Sequence, residues 1–92
     1  MDLLLETPVD LARKVAGDFR KLRKSRRVTI KTLSEKSGVS YASIKRFEHS
    51  GEISFVSLIK LASVLNFEAP IRELFENAPP QTIEEILRGN NQ

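Results

Sequence analysis

The 92-residue chain has no cysteine, no tryptophan, one tyrosine and one histidine. Without cysteine there can be no disulfide, thiolate metal site or thiol nucleophile, which fits a reducing cytoplasm. The lone histidine, His49, has no evident second ligand or general-base partner, so it is read as solvated or phosphate-facing rather than catalytic. The sequence also lacks glycine-rich phosphate loops, His/Cys/Asp clusters at metal spacing and any nucleophile beside a base. These absences argue against an enzyme, a cofactor and a metal. The longest apolar run, Leu3-Leu4-Leu5, lies between Asp2 and Glu6. It is too short and wrongly charged for a signal peptide or a transmembrane helix, so no membrane partner is expected.

What is present is a globular composition, 40% apolar with four glycines and four prolines, and enough chain for one domain with one core. The net charge of +3 hides a strong asymmetry. Residues 13–46 carry twelve Lys/Arg against Asp18 and Glu35, a local +10. Residues 1–12 carry −3, and residues 47–92 carry −4. A solvated surface would mix its signs along the chain. A basic block between acidic ends is instead the footprint of a face that binds a polyanion.

Within that block, residues 28–51 read as two short capped helices joined by a tight turn. Thr29 is a good N-cap, with Val28 and Leu33 at staple spacing. Gly38 stands where a left-handed residue ends a helix. Ser40 caps the next helix, with Val39 and Ile44 repeating the staple. Helices this close must cross, as in a helix-turn-helix. Upstream, Thr7-Pro8-Val9-Asp10 starts a helix running from Pro8 to about Ser25. Its expected buried stripe is Leu11, Val15, Phe19 and Leu22, with Arg13, Lys14, Arg20, Lys21, Arg23 and Lys24 largely off it. Gly17, costing about 1 kcal/mol against alanine in a helix, is expected to mark close packing. Downstream, Ile53, Ser54 and Leu58 start a fourth helix reaching about Leu65, which Asn66 can end in a left-handed conformation. Its apolar residues point to more than one side. Pro70 opens an expected fifth helix, Ile71–Glu76, with Ile71, Leu74 and Phe75 inward. Thr82-Ile83-Glu84-Glu85 starts a last short helix over 83–88 that is marginal alone. The expected organisation is an arm (1–7), a helix-turn-helix domain (8–77, motif 29–49) and a tail (78–92) whose end from Gly89 is disordered.

The residues Thr29, Leu33, Glu35, Lys36, Gly38-Val39-Ser40, Ile44, Arg46 and Glu48 together resemble the helix-turn-helix of the XRE family, the Cro and phage-repressor type. The resemblance extends through Ser54–Asn66 and more loosely back to about Val9. It implies an all-α, five-helix, lambda-repressor-like DNA-binding domain with a short helical tail. KRFEHSGEISFVSLIKLASVLNF followed by IRELFE resembles HipB-like antitoxin regulators within that family.

In a helix-turn-helix the second helix enters the major groove. With Ile44 and Phe47 inward and small Ser43 toward the preceding helix, Tyr41, Ala42, Lys45, Arg46 and His49 face out. The resemblance matches Tyr41, Ala42 and Arg46 to base-reading positions. Arg46 can fork onto guanine O6 and N7 or contact phosphate. Tyr41 can meet a base edge or thymine methyl, or bond phosphate through its hydroxyl. Ala42 offers a methyl suited to thymine. The expected backbone contacts are Arg27, Thr29, Lys31, Ser40, Ser43, Lys45 and His49. The family usually has glutamine at the phosphate-fixing position held here by Ile30, which shifts that clamp to Thr29, Lys31 or backbone amides. Glu48 is expected to pair with a basic residue of the first helix. The scheme needs Tyr41, Ala42 and Arg46 out of the interior and away from acidic neighbours.

The function implied is a sequence-specific, homodimeric repressor on double-stranded operator DNA, cytoplasmic and nucleoid-associated. The HipB-like resemblance adds a partner, a HipA-like kinase toxin, with Ile83, Ile86 and Leu87 of the tail as the partner-binding residues. The alternatives are a stand-alone phage- or plasmid-type regulator and a protein-binding adaptor.

Overall fold

The computed structural model describes residues 5–77 and 79–89. Among these there are six helices and no strand: α1 (Pro8–Ser25), α2 (Ile30–Ser37), α3 (Tyr41–Ser50), α4 (Phe55–Val64), α5 (Ala69–Arg72) and α6 (Ile83–Gly89). Leu3 and Leu4 of the expected arm, Ala78, and residues 90–92 of the expected disordered end lie outside the described residues. Leu5 is exposed.

Local hydrogen bonds set the helix starts. Thr7 and Asp10 form a reciprocal capping box, with Asp10 N donating to Thr7 Oγ1 at 3.1 Å and Thr7 N to Asp10 Oδ2 at 3.0 Å. The backbone bond from Thr7 holds the Asp10 carboxyl below its ordinary pKa. Thr29, Ser40 and Ser54 each accept from the backbone N–H three residues on, all at 3.1 Å. Gly38 and Gly51 end α2 and α3 in the left-handed region, at φ 79° and 83°. Asn66 follows α4 at φ 56°. The turn between α2 and α3 is tied by Ser34 Oγ donating to the Val39 carbonyl and Val39 N donating to Ser37 Oγ.

The core joins α1 to α4: Ala16, Phe19, Leu33, Val39, Ile44, Phe47, Leu61 and Leu65 are buried, with Val28, Ile53 and Leu58 packed against them. All three staple pairs therefore meet the core. Phe19 and Phe47 pack edge to face at 5.4 Å, fastening α1 to α3. Arg26 at the end of α1 donates to the Leu65 carbonyl.

Several expectations are corrected. On α1, Leu11 and Val15 are exposed; the buried positions are Ala16, Phe19 and Arg23. A Cβ on Gly17 would meet nothing within 4 Å, so Gly17 marks no close packing. The expected Ile71–Glu76 helix is instead the single turn Ala69–Arg72, followed by turns over 73–77. Phe75 there has φ 69° and is 90% exposed, and Leu74 is exposed too. These departures share a cause. Ile71 reaches a cleft of about 370 Å³ that it lines with Val15, Phe19, Leu22, Leu58, Ala62 and Phe67. Among the described residues nothing covers Phe75 and Leu74 is left exposed, and a helix that short does not propagate unaided. Among the described residues Leu11 and Val15, toward the start of α1, are left exposed. On α4, Leu61 and Ala62 are buried while Phe55 and Val56 are exposed.

Candidate nucleic-acid interface

The outer face of α3 follows from what its inner face buries. Ile44 and Phe47 are buried, so Tyr41, Ala42, Lys45, Arg46 and His49 are left exposed. Ser43 is exposed as well, not turned toward α2 as its size suggested. It lines a cleft of about 220 Å³ with Arg46, Glu52, Ile53, Ser54 and Ser57.

A buried ion pair fixes α3 to α1. Arg23 Nε donates to Glu48 Oε2 at 2.7 Å and Nη2 to Oε1 at 2.9 Å. Arg23 Nη1 also donates to the Val28 carbonyl at 2.9 Å. The two side chains are only 8% and 6% exposed, and among the described residues no buried side-chain polar atom lacks a partner. The expected pairing of Glu48 with a base of the first helix is thus met by Arg23, a residue whose sequence position placed it off the buried stripe. Arg20 lies next to this pair, its Nε 4.0 Å from Glu48 Oε1.

Arg20, Arg23, Ile30, Lys45, Glu48 and His49 line a concavity of about 340 Å³ between α1, the start of α2 and α3. With Glu48 committed to Arg23, the exposed side chains at its mouth are Arg20, Lys45 and His49. This arrangement suits a phosphate better than a base edge, because the long cationic chains of Arg20 and Lys45 both line it, beside His49. Arg20 was not among the expected contact residues. Its signal was faint but present: it lies three residues before the base that pairs with Glu48, on the same helix face.

The remaining expected contacts are distributed along the α1–α2 junction and the caps. Arg27 is exposed in the turn, at φ 57°. Lys31 is exposed on the first turn of α2. Thr29 and Ser40 are exposed, but their oxygens cap helices and their hydroxyls bond Thr32 Oγ1 at 3.1 Å and Ser43 Oγ at 2.8 Å. A phosphate contact from either would require the hydroxyl to turn. Ile30 is half-buried against the core.

Tyr41 and Ala42 are open to solvent, as the scheme needs. Arg46 is not free of acids: its Nη2 lies 2.7 Å from Glu52 Oε1, with the two side chains 68% and 65% exposed. The helix-turn-helix geometry and its capped turn stand beside what a comparison with known families finds. A helix-turn-helix family model fits residues 19–70, more than half of the chain. This chain belongs to the XRE-type helix-turn-helix family. No curated protein and no solved structure matches it.

XRE-type helix-turn-helix proteins are DNA-binding transcription regulators, not an enzyme family. Within this member, no group of three or more His, Cys, Asp or Glu could hold a metal ion among the described residues. No described helix is long and apolar enough to cross a membrane. The tail residues Ile83, Ile86 and Leu87 are exposed on α6. Among the described residues the most extensive helix packing is α1 with α3, α2 with α4 and α2 with α3.

Proposed function

We propose that this protein is a sequence-specific transcriptional repressor that binds a palindromic operator as a homodimer, with α3 in the major groove. Helices α1 to α5, within residues 8–77, form the lambda-repressor-like DNA-binding unit, and residues 78–92 form a tail. The observation that carries the reading is the exposed set Tyr41, Ala42, Lys45, Arg46 and His49 on the second helix of a capped helix-turn-helix, inside the +10 segment. Tyr41, Ala42 and Arg46 meet base edges; Arg27, Thr29, Lys31, Ser40, Ser43, Lys45 and His49 meet phosphates, joined by Arg20. One such unit offers few base contacts, so genomic specificity favours two half-sites about 34–36 Å apart. The exposed apolar residues Phe55, Val56 and Phe67 around α4 are suited to the dimer surface.

Selection of a binding site from a random duplex pool tests this directly. On the selected site, Arg46→Ala should lose about 1–3 kcal/mol and relax preference at one base pair. Lys45→Ala should instead weaken all duplexes alike and reduce the salt slope by about one. Equal loss for Arg46→Ala on scrambled DNA would make Arg46 a backbone contact.

The same protein is proposed to act in the cytoplasm, on the nucleoid, as the antitoxin or co-repressor of a HipA-like kinase toxin. The support is α6: a short helix with Ile83, Ile86 and Leu87 in solvent is what a partner-binding segment requires. Deleting residues 79–92 should abolish capture of a HipA-like kinase while leaving operator binding in place. Undiminished capture would remove the tail from that role.

A further inference from the structure

The contact between Arg46 and Glu52 has a construction that goes beyond two surface charges meeting. Glu52 stands one residue past Gly51, and that glycine is wedged against α1. A Cβ at position 51 would lie 2.7 Å from the Ala12 carbonyl carbon and 2.9 Å from Ala12 Cβ. The left-handed φ of 83° at Gly51 turns the chain out of α3 at that point. Ser50 ties the same corner, donating its hydroxyl to the Arg46 carbonyl at 2.8 Å and accepting from Glu52 N at 3.2 Å. The backbone carrying Glu52 is therefore held against two helices, which puts the carboxylate within reach of Arg46.

Only one oxygen of Glu52 meets Arg46, at one nitrogen, Nη2. A guanidinium has five N–H donors, so enough remain for a two-bond fork onto guanine O6 and N7. What Glu52 changes is the charge, not the donor supply. A phosphate approaching Arg46 meets a carboxylate 2.7 Å from the cation it seeks. A base edge carries no net charge, so the repulsion that its acceptors meet is weaker.

We propose that Glu52 is a specificity-determining residue: it compensates the charge of Arg46 while leaving its donors available, and so converts a would-be phosphate anchor into a reader of a neutral base edge, guanine foremost. The inference rests on the reading that α3 enters the major groove. It assigns to the acid, not to Arg46 alone, the task of suppressing binding to DNA of the wrong sequence.

The test compares the wild-type protein with Glu52→Gln, Arg46→Ala and the double variant, on the duplex selected by the wild type and on a scrambled duplex of equal length, from 50 to 200 mM salt. On scrambled DNA, Glu52→Gln should gain one phosphate contact. Its affinity should then fall about threefold further than wild type across that salt range, since each contact contributes a slope of about 0.9. On the selected duplex its affinity should change less, so the ratio between the two duplexes shrinks. In the Arg46→Ala background, the same change should do nothing. An unchanged slope for Glu52→Gln on scrambled DNA overturns the proposal. So does an equal gain with and without Arg46, which would mean that Glu52 repels phosphate directly. If no duplex is selected, or if Arg46→Ala leaves discrimination intact, the groove-reading function fails instead. The scrambled-DNA comparison still decides whether Glu52 restrains Arg46.

Discussion

Replacing Glu48 by alanine should cost the fold about 3–5 kcal/mol, the range for breaking a buried ion pair by removing one partner. The deletion leaves the Arg23 guanidinium nearly enclosed, with only the Val28 carbonyl as acceptor and Arg20 close by as a like charge. A domain of this size has only about 5–15 kcal/mol in total, so the variant should sit near the edge of folding. The midpoint of thermal unfolding should fall by more than about 10 °C, at about 4–8 °C per kcal/mol. Arg23→Met combined with Glu48→Met should recover much of that loss, because apolar residues of similar volume replace buried pairs at little cost. Urea unfolding of the wild type and the two variants provides the measurement. A loss below about 1 kcal/mol for Glu48→Ala, the size of an exposed pair, would show that water reaches the pair. The pair joins α3 to α1, so on the proposed function its loss should also lower DNA affinity beyond any change in charge.

Gly51→Ala should be the second large effect, roughly 2–5 kcal/mol. Two causes add: a left-handed conformation at a residue with a side chain, about 1–2 kcal/mol, and overlap with the backbone of α1, in the range of about 1–3 kcal/mol for overpacking. Gly38→Ala supplies the comparison. It shares the conformation, at φ 79°, but a Cβ there would meet nothing within 4 Å. Gly38→Ala should therefore show the conformational cost alone, about 1–2 kcal/mol. Equal losses for the two substitutions would mean that α1 yields at Ala12 and that the corner carrying Glu52 is soft.

The two glycines also mark how far local sequence reaches. Both could be read as turn residues, and Gly38 could be placed at its helix end from the apolar spacing before it. That Gly51 is pressed onto Ala12 has no trace near either residue, since 39 positions separate them. The membership in a helix-turn-helix family was legible because its marks are short-range: Thr29 to Thr32, Ser40 to Ser43, Gly38 to Ser34. The exposed face of α3 was legible too, because helical spacing decides it once Ile44 and Phe47 are inward.

The candidate site was legible in part. Tyr41 and Ala42 stand in solvent as helical arithmetic requires, whereas Arg46 has an acid beside it that the spacing does not reveal. Glu52 is six residues on, past the end of the helix, where no periodic rule applies. Arg20 joins Lys45 and His49 only because α1 crosses α3 at the Phe19–Phe47 contact. The same crossing sends Arg23 inward: it stands four residues after Phe19, on the face that turns to α3, whereas Lys21 and Lys24 are exposed.

The sequence by itself determined where each of α1 to α4 begins and turns, since caps, staples and left-handed glycines act within a few residues. It also determined the sign of the surface that α3 carries. Only the tertiary structure decided which bases are buried, how far α5 extends and which acid meets Arg46. Those outcomes depend on the angles at which helices dock, and a docking angle is set jointly by residues that the chain holds far apart.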